Sequence, residues 1–311
     1  MKIIAALGGN ALAQGGETGD YDDLVRNVRS ACSALMKIVD QGHQLVITHG
    51  NGPQVGNIAI QQSSTREVPE LPLHVLDAMT QGEIGYLIQR ELGNALRTVG
   101  SKRPVVSLLT LVLVDPSDPA FATPSKPIGP FYSEAEAERL KKKGFAIKRV
   151  GGDTRAFRRV VPSPDPKRVV ESEAVSKLLA SGCIVIAGGG GVIPVALGPG
   201  GSYFGVDAVV DKDLCAERLA EAVRADTLLI LTNVPKVKLG FGTKKERDLD
   251  VITVAEAKRF LTEGQFPPGS MGPKVTACVR FVEWGGKPAI IGGLTAALEA
   301  LEGASGTRVV P

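Results

Sequence analysis

Short apolar runs and amphipathic stretches alternate along the chain. The runs Ile3–Leu7, Leu45–Ile47, Ile184–Ala187, Leu228–Thr232 and Ala289–Ile291 read as strands. Between the first two, Leu24, Val28, Ala31, Leu35 and Ile38 recur at spacings of three and four, one face of a helix. Further helices are expected near 54–63, 74–99, 172–181, 213–223, 254–263 and 273–284. The longest apolar run, Val105 to Val114, contains Ser107 and Thr110 and reads as one buried strand. It is too short to cross a bilayer. Strands alternating with helices through short glycine-rich links predict an α/β fold, a mainly parallel sheet with helices on both faces.

One segment breaks this rhythm. Residues 115–167 carry Pro116, Pro119, Pro124, Pro127, Pro130, Pro162, Pro164 and Pro166 and the basic run Lys141-Lys142-Lys143. An excursion of about fifty residues is too long for a connection within a compact domain, so it is expected to form a small protruding, lid-like subdomain. The glycine- and lysine-rich stretch 235–250 is expected to be a loop able to cover a nucleotide. The length of the chain suits one large α/β domain or two lobes sharing a sheet.

Three of the strands end in small-residue loops: Gly8-Gly9-Asn10, Thr48-His49-Gly50-Asn51-Gly52-Pro53 and Gly188-Gly189-Gly190-Gly191. Without a Cβ, backbone N–H groups approach an anion closely, and a following helix adds its positive end. Three such loops imply one phosphate-binding crevice at the carboxyl ends of a parallel sheet.

The bulk numbers exclude other classes. Of 311 residues, 36 are basic and 33 acidic, a net charge of +3 that is too balanced for a nucleic-acid or membrane-surface protein. Cys32, Cys183, Cys215 and Cys278 are scattered and read as buried small hydrophobes. The three histidines have no metal-ligand spacing. No basic-then-apolar leader precedes the first strand, and a cytoplasmic protein is expected.

The candidate chemistry rests on lysines. The chain has no Walker A pattern, no G-x-G-x-x-G opening a helix and no G-x-S-x-G elbow. Lys126 is framed by Pro124 and Pro127. Lys212 stands where an apolar strand is expected to meet a helix, and Lys274 follows Pro273 in the first turn of another. A lysine at a helix N-terminus opposes the dipole unless an anion is bound there. Asp213 is expected either to cap its helix or to hold lysine ammonium groups, and the two roles can coexist.

These residues resemble the carbamate kinases of the amino acid kinase superfamily nearly end to end. The resemblance is carried by Ala6-Leu7-Gly8-Gly9-Asn10-Ala11-Leu12, Thr48–Gly56, Gln81–Tyr86, Lys126-Pro127-Ile128-Gly129-Pro130-Phe131-Tyr132, Arg158-Arg159-Val160-Val161-Pro162-Ser163-Pro164, Asp211–Leu214, Gly269–Lys274 and Phe281–Gly286. It implies a single domain with an open, roughly eight-stranded sheet sandwiched by helices in a homodimer, residues 1–210 forming the lobe for carbamate or carbamoyl phosphate and 211–311 the nucleotide lobe. The expected reaction is phosphoryl transfer between ATP and carbamate, giving ADP and carbamoyl phosphate, with Mg²⁺ held mainly by the nucleotide.

By the same resemblance Lys126, Lys212 and Lys274 are the active-site lysines, organised by Asp213. Gly8, Gly9, Asn10, Gly50, Asn51 and Gly52 would hold the transferred group through backbone amides, with Gly189 and Gly190 beside them. The nucleotide would meet Lys212, Thr232, Asn233, Val234, Phe241, Met271, Gly272 and Lys274. Phe241 is expected on the adenine, with a core role as the alternative. Related kinases of amino-acid carboxylates carry a lysine where this chain has Ala6, so Lys126 or Lys212 would have to restore that charge. Two alternatives remain: another small-acid or phosphonate kinase of this fold, and a nucleotide-binding protein without catalysis.

Overall fold

The structure, a computed structural model, describes residues 1–12, 20–65, 67–150, 155–267 and 269–311, without the side chains of Asn10 and Ala11. Eight strands form the central sheet. Their order is Val251–Thr253, Thr307–Val310, Ala289–Gly293, Thr227–Thr232, Lys2–Leu7, Gln44–His49, Ile184–Ile186, Val105–Ser107. Every neighbouring pair is parallel except Ala289–Gly293 with Thr307–Val310.

The apolar runs are continuous because both faces of the sheet are covered. Ile4, Ala6, Val46, Val185, Leu228, Ile230 and Ile291 pack against helices Ser172–Ala180, Lys212–Val223, Val254–Thr262 and Met271–Gly285. Their alternates Ile3, Ala5, Leu7, Leu45, Ile47, Leu229, Leu231 and Ile290 pack against Tyr21–Asp40, Leu73–Thr98 and Ala297–Glu302. All four cysteines are buried. Among the described residues no helix is long and apolar enough to cross a membrane.

The run Val105–Val114 is not one strand. Val105–Ser107 closes the main sheet, while Leu111–Leu113 joins a second sheet with Arg168–Val169, Ile193–Leu197 and Tyr203–Gly205. The chain turns between them at Thr110. Its N–H donates to Gln81 Oε1 at 2.9 Å, and its hydroxyl accepts from the Gly188 N–H at 2.9 Å. Leu109 is left 55% exposed at the corner.

The stretch 235–250 is not a plain loop either. Val237–Leu239 pairs with Arg247–Leu249 as an antiparallel hairpin, with Val237, Leu239 and Leu249 buried beneath it. Within the proline-rich segment, Lys126–Tyr132, Phe157–Val161 and Ile147–Arg149 form a three-stranded antiparallel sheet flanked by helix Glu134–Lys142. Residues 151–154 of that segment lie outside the described residues. This small sheet meets helix Gly52–Gln62 backbone to backbone. A Cβ on Gly56 would lie 1.9 Å from the Gly129 Cα.

Candidate active site

The carboxyl ends of strands Lys2–Leu7, Gln44–His49 and Thr227–Thr232 open onto a cleft of about 420 Å³, a volume suited to a small-molecule ligand. Gly8, Gly9, Gly50, Asn51, Gly52 and Gly190 line it, together with Thr232, Asn233, Val234, Phe241 and Met271. Lys126, Lys212, Lys274 and Asp213 all face it as well.

Two residues expected at the site, Gly189 and Gly272, stand apart from it, and the side chain of a third, Asn10, lies outside the described residues. Gly189 packs on His49, where a Cβ would lie 2.2 Å from the ring Nε2. Gly272 sits against the Pro267 carbonyl, with 3.1 Å available to a Cβ. The third glycine loop also lacks the expected helix. It makes a short 3₁₀ turn, Gly189–Gly191, and continues into strand Ile193–Leu197. Its closest approach is structural: at Gly191, with φ at +81°, a Cβ would lie 1.8 Å from the Val210 carbonyl oxygen.

Not every expected amide is available to a ligand. The N–H of Gly8 donates to the Leu231 carbonyl at 2.8 Å, and that of Gly50 to the Leu7 carbonyl at 3.2 Å. Both extend the parallel ladder by one residue and are already satisfied. Gly9 and Gly52 begin helices, whose first N–H groups have no partner within the helix.

The charged centre is built at the start of helix Lys212–Val223. No strand precedes it: Val209 and Val210 are buried in irregular backbone. Asp211 caps the helix, its Oδ1 accepting from the Asp213 N–H at 2.9 Å and the Leu214 N–H at 3.5 Å. Asp213 is therefore not the cap. Its carboxylate bridges two lysines instead, with Lys212 on Oδ1 and the Lys274 Nζ 2.8 Å from Oδ2. Lys126, from the small three-stranded sheet, pairs with Asp211.

Burial and charge oppose one another in this group. Burial lowers the Lys212 ammonium to about 8, although Asp213 pulls it back up. Burial would raise Asp213, but Lys212 and Lys274 overcome it and hold the carboxyl well below the usual range. Burial would likewise raise Asp211, and Lys126 holds it down. Lys274 is raised, because Asp213 outweighs its own burial. His49 is buried behind the glycine loops, its imidazole lowered by burial to about 4 and therefore neutral.

Asp211 and Arg158 belong to this cleft and were missed in the sequence. Asp211 was legible as an acidic residue two before Asp213. Arg158 opens the Arg158–Pro164 motif, in which nothing local marks it as a ligand-binding cation. Its guanidinium lies 5.3 Å from the Phe131 ring and donates to the Gly129 carbonyl at 2.6 Å, while its Nε is buried without a partner. Lys236 and Lys238 of the hairpin also face the cleft, paired with Asp250 and Glu246. Phe241 is 66% exposed, which rules out the core role.

The arrangement suits a polyphosphate, with cations converging on glycine-lined backbone. Among the described residues no group of three or more His, Cys, Asp or Glu could hold a metal ion, and both aspartates lining the cleft are engaged by lysines. These residues fit a divalent ion carried in on phosphate oxygens better than one held in a protein cage.

Comparison with known proteins agrees with this picture. The model of the Amino acid kinase family matches residues 1–293. The chain is 49% identical to a carbamate kinase of Pyrococcus furiosus, covering 100% of this chain and 99% of that protein. It is 50% identical to a carbamate kinase of Trichomonas vaginalis, covering 100% of both. A solved carbamate kinase from Giardia lamblia bound to AMP-PNP superposes with a TM-score of 0.90 at 40% identity, over 99% of this chain and 98% of that one.

Proposed function

The chain belongs to the amino acid kinase family, among its carbamate kinases, and from that premise we propose that its cleft transfers a phosphoryl group reversibly between ATP and carbamate, forming ADP and carbamoyl phosphate. The supporting observation is the convergence of three ammonium groups on two neighbouring aspartates at one helix start.

Carbamate is already an anion, so its oxygen needs no general base, and neutral His49 stays a support for the loop behind it. Catalysis then consists of in-line positioning and charge neutralisation. Lys212 and Lys274 take the β- and γ-phosphate oxygens. Asp213 keeps both ammonium groups charged and aimed before the nucleotide arrives. Lys126 and Arg158 meet the migrating phosphoryl group from the side of the small sheet. The amides of Gly9 and Gly52 and the loop at Asn51 hold the carbamate end. Phe241 and Met271, with Thr232, Asn233 and Val234, take the nucleoside.

Mg²⁺ carried in on the nucleotide would supply charge neutralisation at the phosphate oxygens, with Asp211 and Asp213, both engaged by lysines, as the carboxylates the cleft offers. Closure of the small sheet over the cleft excludes water, which protects a substrate that decomposes in it. Lys126 restores the charge missing at Ala6, whose side chain is buried in the core below the cleft. A homodimer of this chain is part of the same proposal, and light scattering would read about twice the chain mass of 32.6 kDa.

The test is ATP formation from ADP and carbamoyl phosphate with Mg²⁺, wild type beside Lys212→Ala. Removing one preorganised charge should lower kcat by ~10²–10³ for Lys212→Ala or Lys274→Ala, and by less for Lys126→Ala. A wild type that binds ATP and yet makes none would turn the search to other small acids.

A further inference from the structure

Asn51 stands at the start of helix Gly52–Gln62, where an asparagine side chain ordinarily caps the helix with its carbonyl oxygen. Here it makes no capping bond. Its amide nitrogen instead donates twice, to Asp77 Oδ1 at 3.0 Å and to Thr80 Oγ1 at 2.9 Å, both on helix Leu73–Thr98.

The direction of that amide follows from Thr80. The threonine hydroxyl spends its single proton on the Asp77 main-chain carbonyl at 2.9 Å, so towards Asn51 it can only accept. The group facing it must be the NH₂. Both amide hydrogens are thereby directed inward, and Oδ1 is left without a protein donor among the described residues. Asn51 is 2% exposed and lines the cleft. Gly190 leaves room for this pose, since a Cβ there would lie 2.6 Å from Asn51 Nδ2.

Asp77 is an unusual partner. It is 1% exposed, and its Oδ2 is buried with no hydrogen-bond partner. Burial pushes its carboxyl well above the usual range, against the opposing pull of the Asn51 amide. In either protonation state its Oδ1 accepts from Asn51.

We propose that Asp77 and Thr80 are positioning residues that hold Asn51 with its carbonyl oxygen towards the transferred acid, and that this acceptor selects an acid carrying an N–H, as carbamate does, over one presenting a methyl group at that place. The inference rests on the phosphoryl-transfer reading above. A site built around a substrate N–H rejects the analogue lacking it because the buried acceptor is then left unpaired.

The experiment compares carbamoyl phosphate with acetyl phosphate as phosphoryl donors to ADP, for wild type, Asp77→Ala, Thr80→Val and Asp77→Asn. Thr80→Val keeps the side-chain shape and reads the same quantity if Asp77→Ala fails to fold. In Asp77→Ala and Thr80→Val the ratio of kcat/KM for carbamoyl over acetyl phosphate should fall by roughly tenfold, with the KM for ADP held. Asp77→Asn, which keeps an acceptor oxygen towards Asn51, should recover most of that ratio. If the variants lose both activities in equal proportion, the inference is overturned while the proposed reaction stands. If wild type makes ATP from neither donor, the reaction itself fails, and this inference with it.

Discussion

Replacing Asp213 with asparagine keeps the shape of the side chain and removes one negative charge from between two ammonium groups. The carboxylate is 2% exposed, and the Lys274 Nζ lies 2.8 Å from one oxygen with Lys212 on the other. At an effective dielectric of about 20, a unit pair at that distance attracts by ~6 kcal/mol before desolvation is subtracted. Removing one partner of a buried pair has a net cost of ~3–5 kcal/mol, because the other charge stays buried alone. In a protein of this size that lowers the melting temperature by on the order of 10 °C. The assay is thermal unfolding at pH 7 of wild type, Asp213→Asn and the double variant Lys212→Met/Asp213→Asn. The double variant should recover part of the loss, because one stranded ammonium has gone with the carboxylate. Pyrophosphate should also raise the melting temperature of Asp213→Asn, since it supplies the missing negative charge. A melting point for Asp213→Asn within about 2 °C of wild type would refute the reasoning, as would a double variant less stable than the single one.

Other consequences follow from the same contacts. Burial lowers Lys212 to about 8, so it is charged below that pH and neutral above it. The free-enzyme kcat/KM should accordingly fall as pH rises through about 8 in a pH–rate profile. Stability moves the other way: between about 8 and 10.5 the unfolded chain holds more protons at this lysine, so its contribution rises with pH. Gly56→Ala drives a Cβ into the Gly129 backbone, which cannot yield as a flexible side chain can, and should destabilise by ~1–3 kcal/mol in chemical denaturation. Gly93→Ala, in helix Leu73–Thr98 with nothing within 4 Å of its Cβ, should instead stabilise by ~0.5–1 kcal/mol. Phe241→Ala should leave the melting temperature in place and raise the KM for ADP roughly fivefold, and an unchanged KM would remove this ring from the nucleotide site.

The large elements were legible because both signals that betray them are local. A strand buried on both faces is an unbroken apolar run, as at Ile3–Leu7 and Leu228–Thr232. A helix covering such a sheet repeats at three and four, as at Leu24 to Ile38. The same signal failed at Val105–Val114, where the polar contacts that turn the chain at Thr110 come from Gln81 and Gly188, far away in sequence. In the stretch 235–250, glycines and lysines masked a hairpin whose buried face is only Val237, Leu239 and Leu249.

The charged centre divides in the same way. The residue types, the glycine loops and the lysines at Lys126, Lys212 and Lys274 stand in the sequence, because each sits in a local context unlike that of a surface lysine. Which carboxylate caps the helix and which holds two lysines is not a local matter. Asp211 and Asp213 are two residues apart, and only the arrival of Lys274 from another helix and Lys126 from the small sheet gives them different work. Likewise, the amides of Gly8 and Gly50 look available in sequence and are taken by neighbouring strands in the fold. Sequence by itself determined the layered α/β architecture and the inventory of charges, because periodicity and composition are properties of short segments. The tertiary structure alone decided which charges are paired, which N–H groups are spent and which way the Asn51 amide faces, because each depends on contacts between residues distant in the chain.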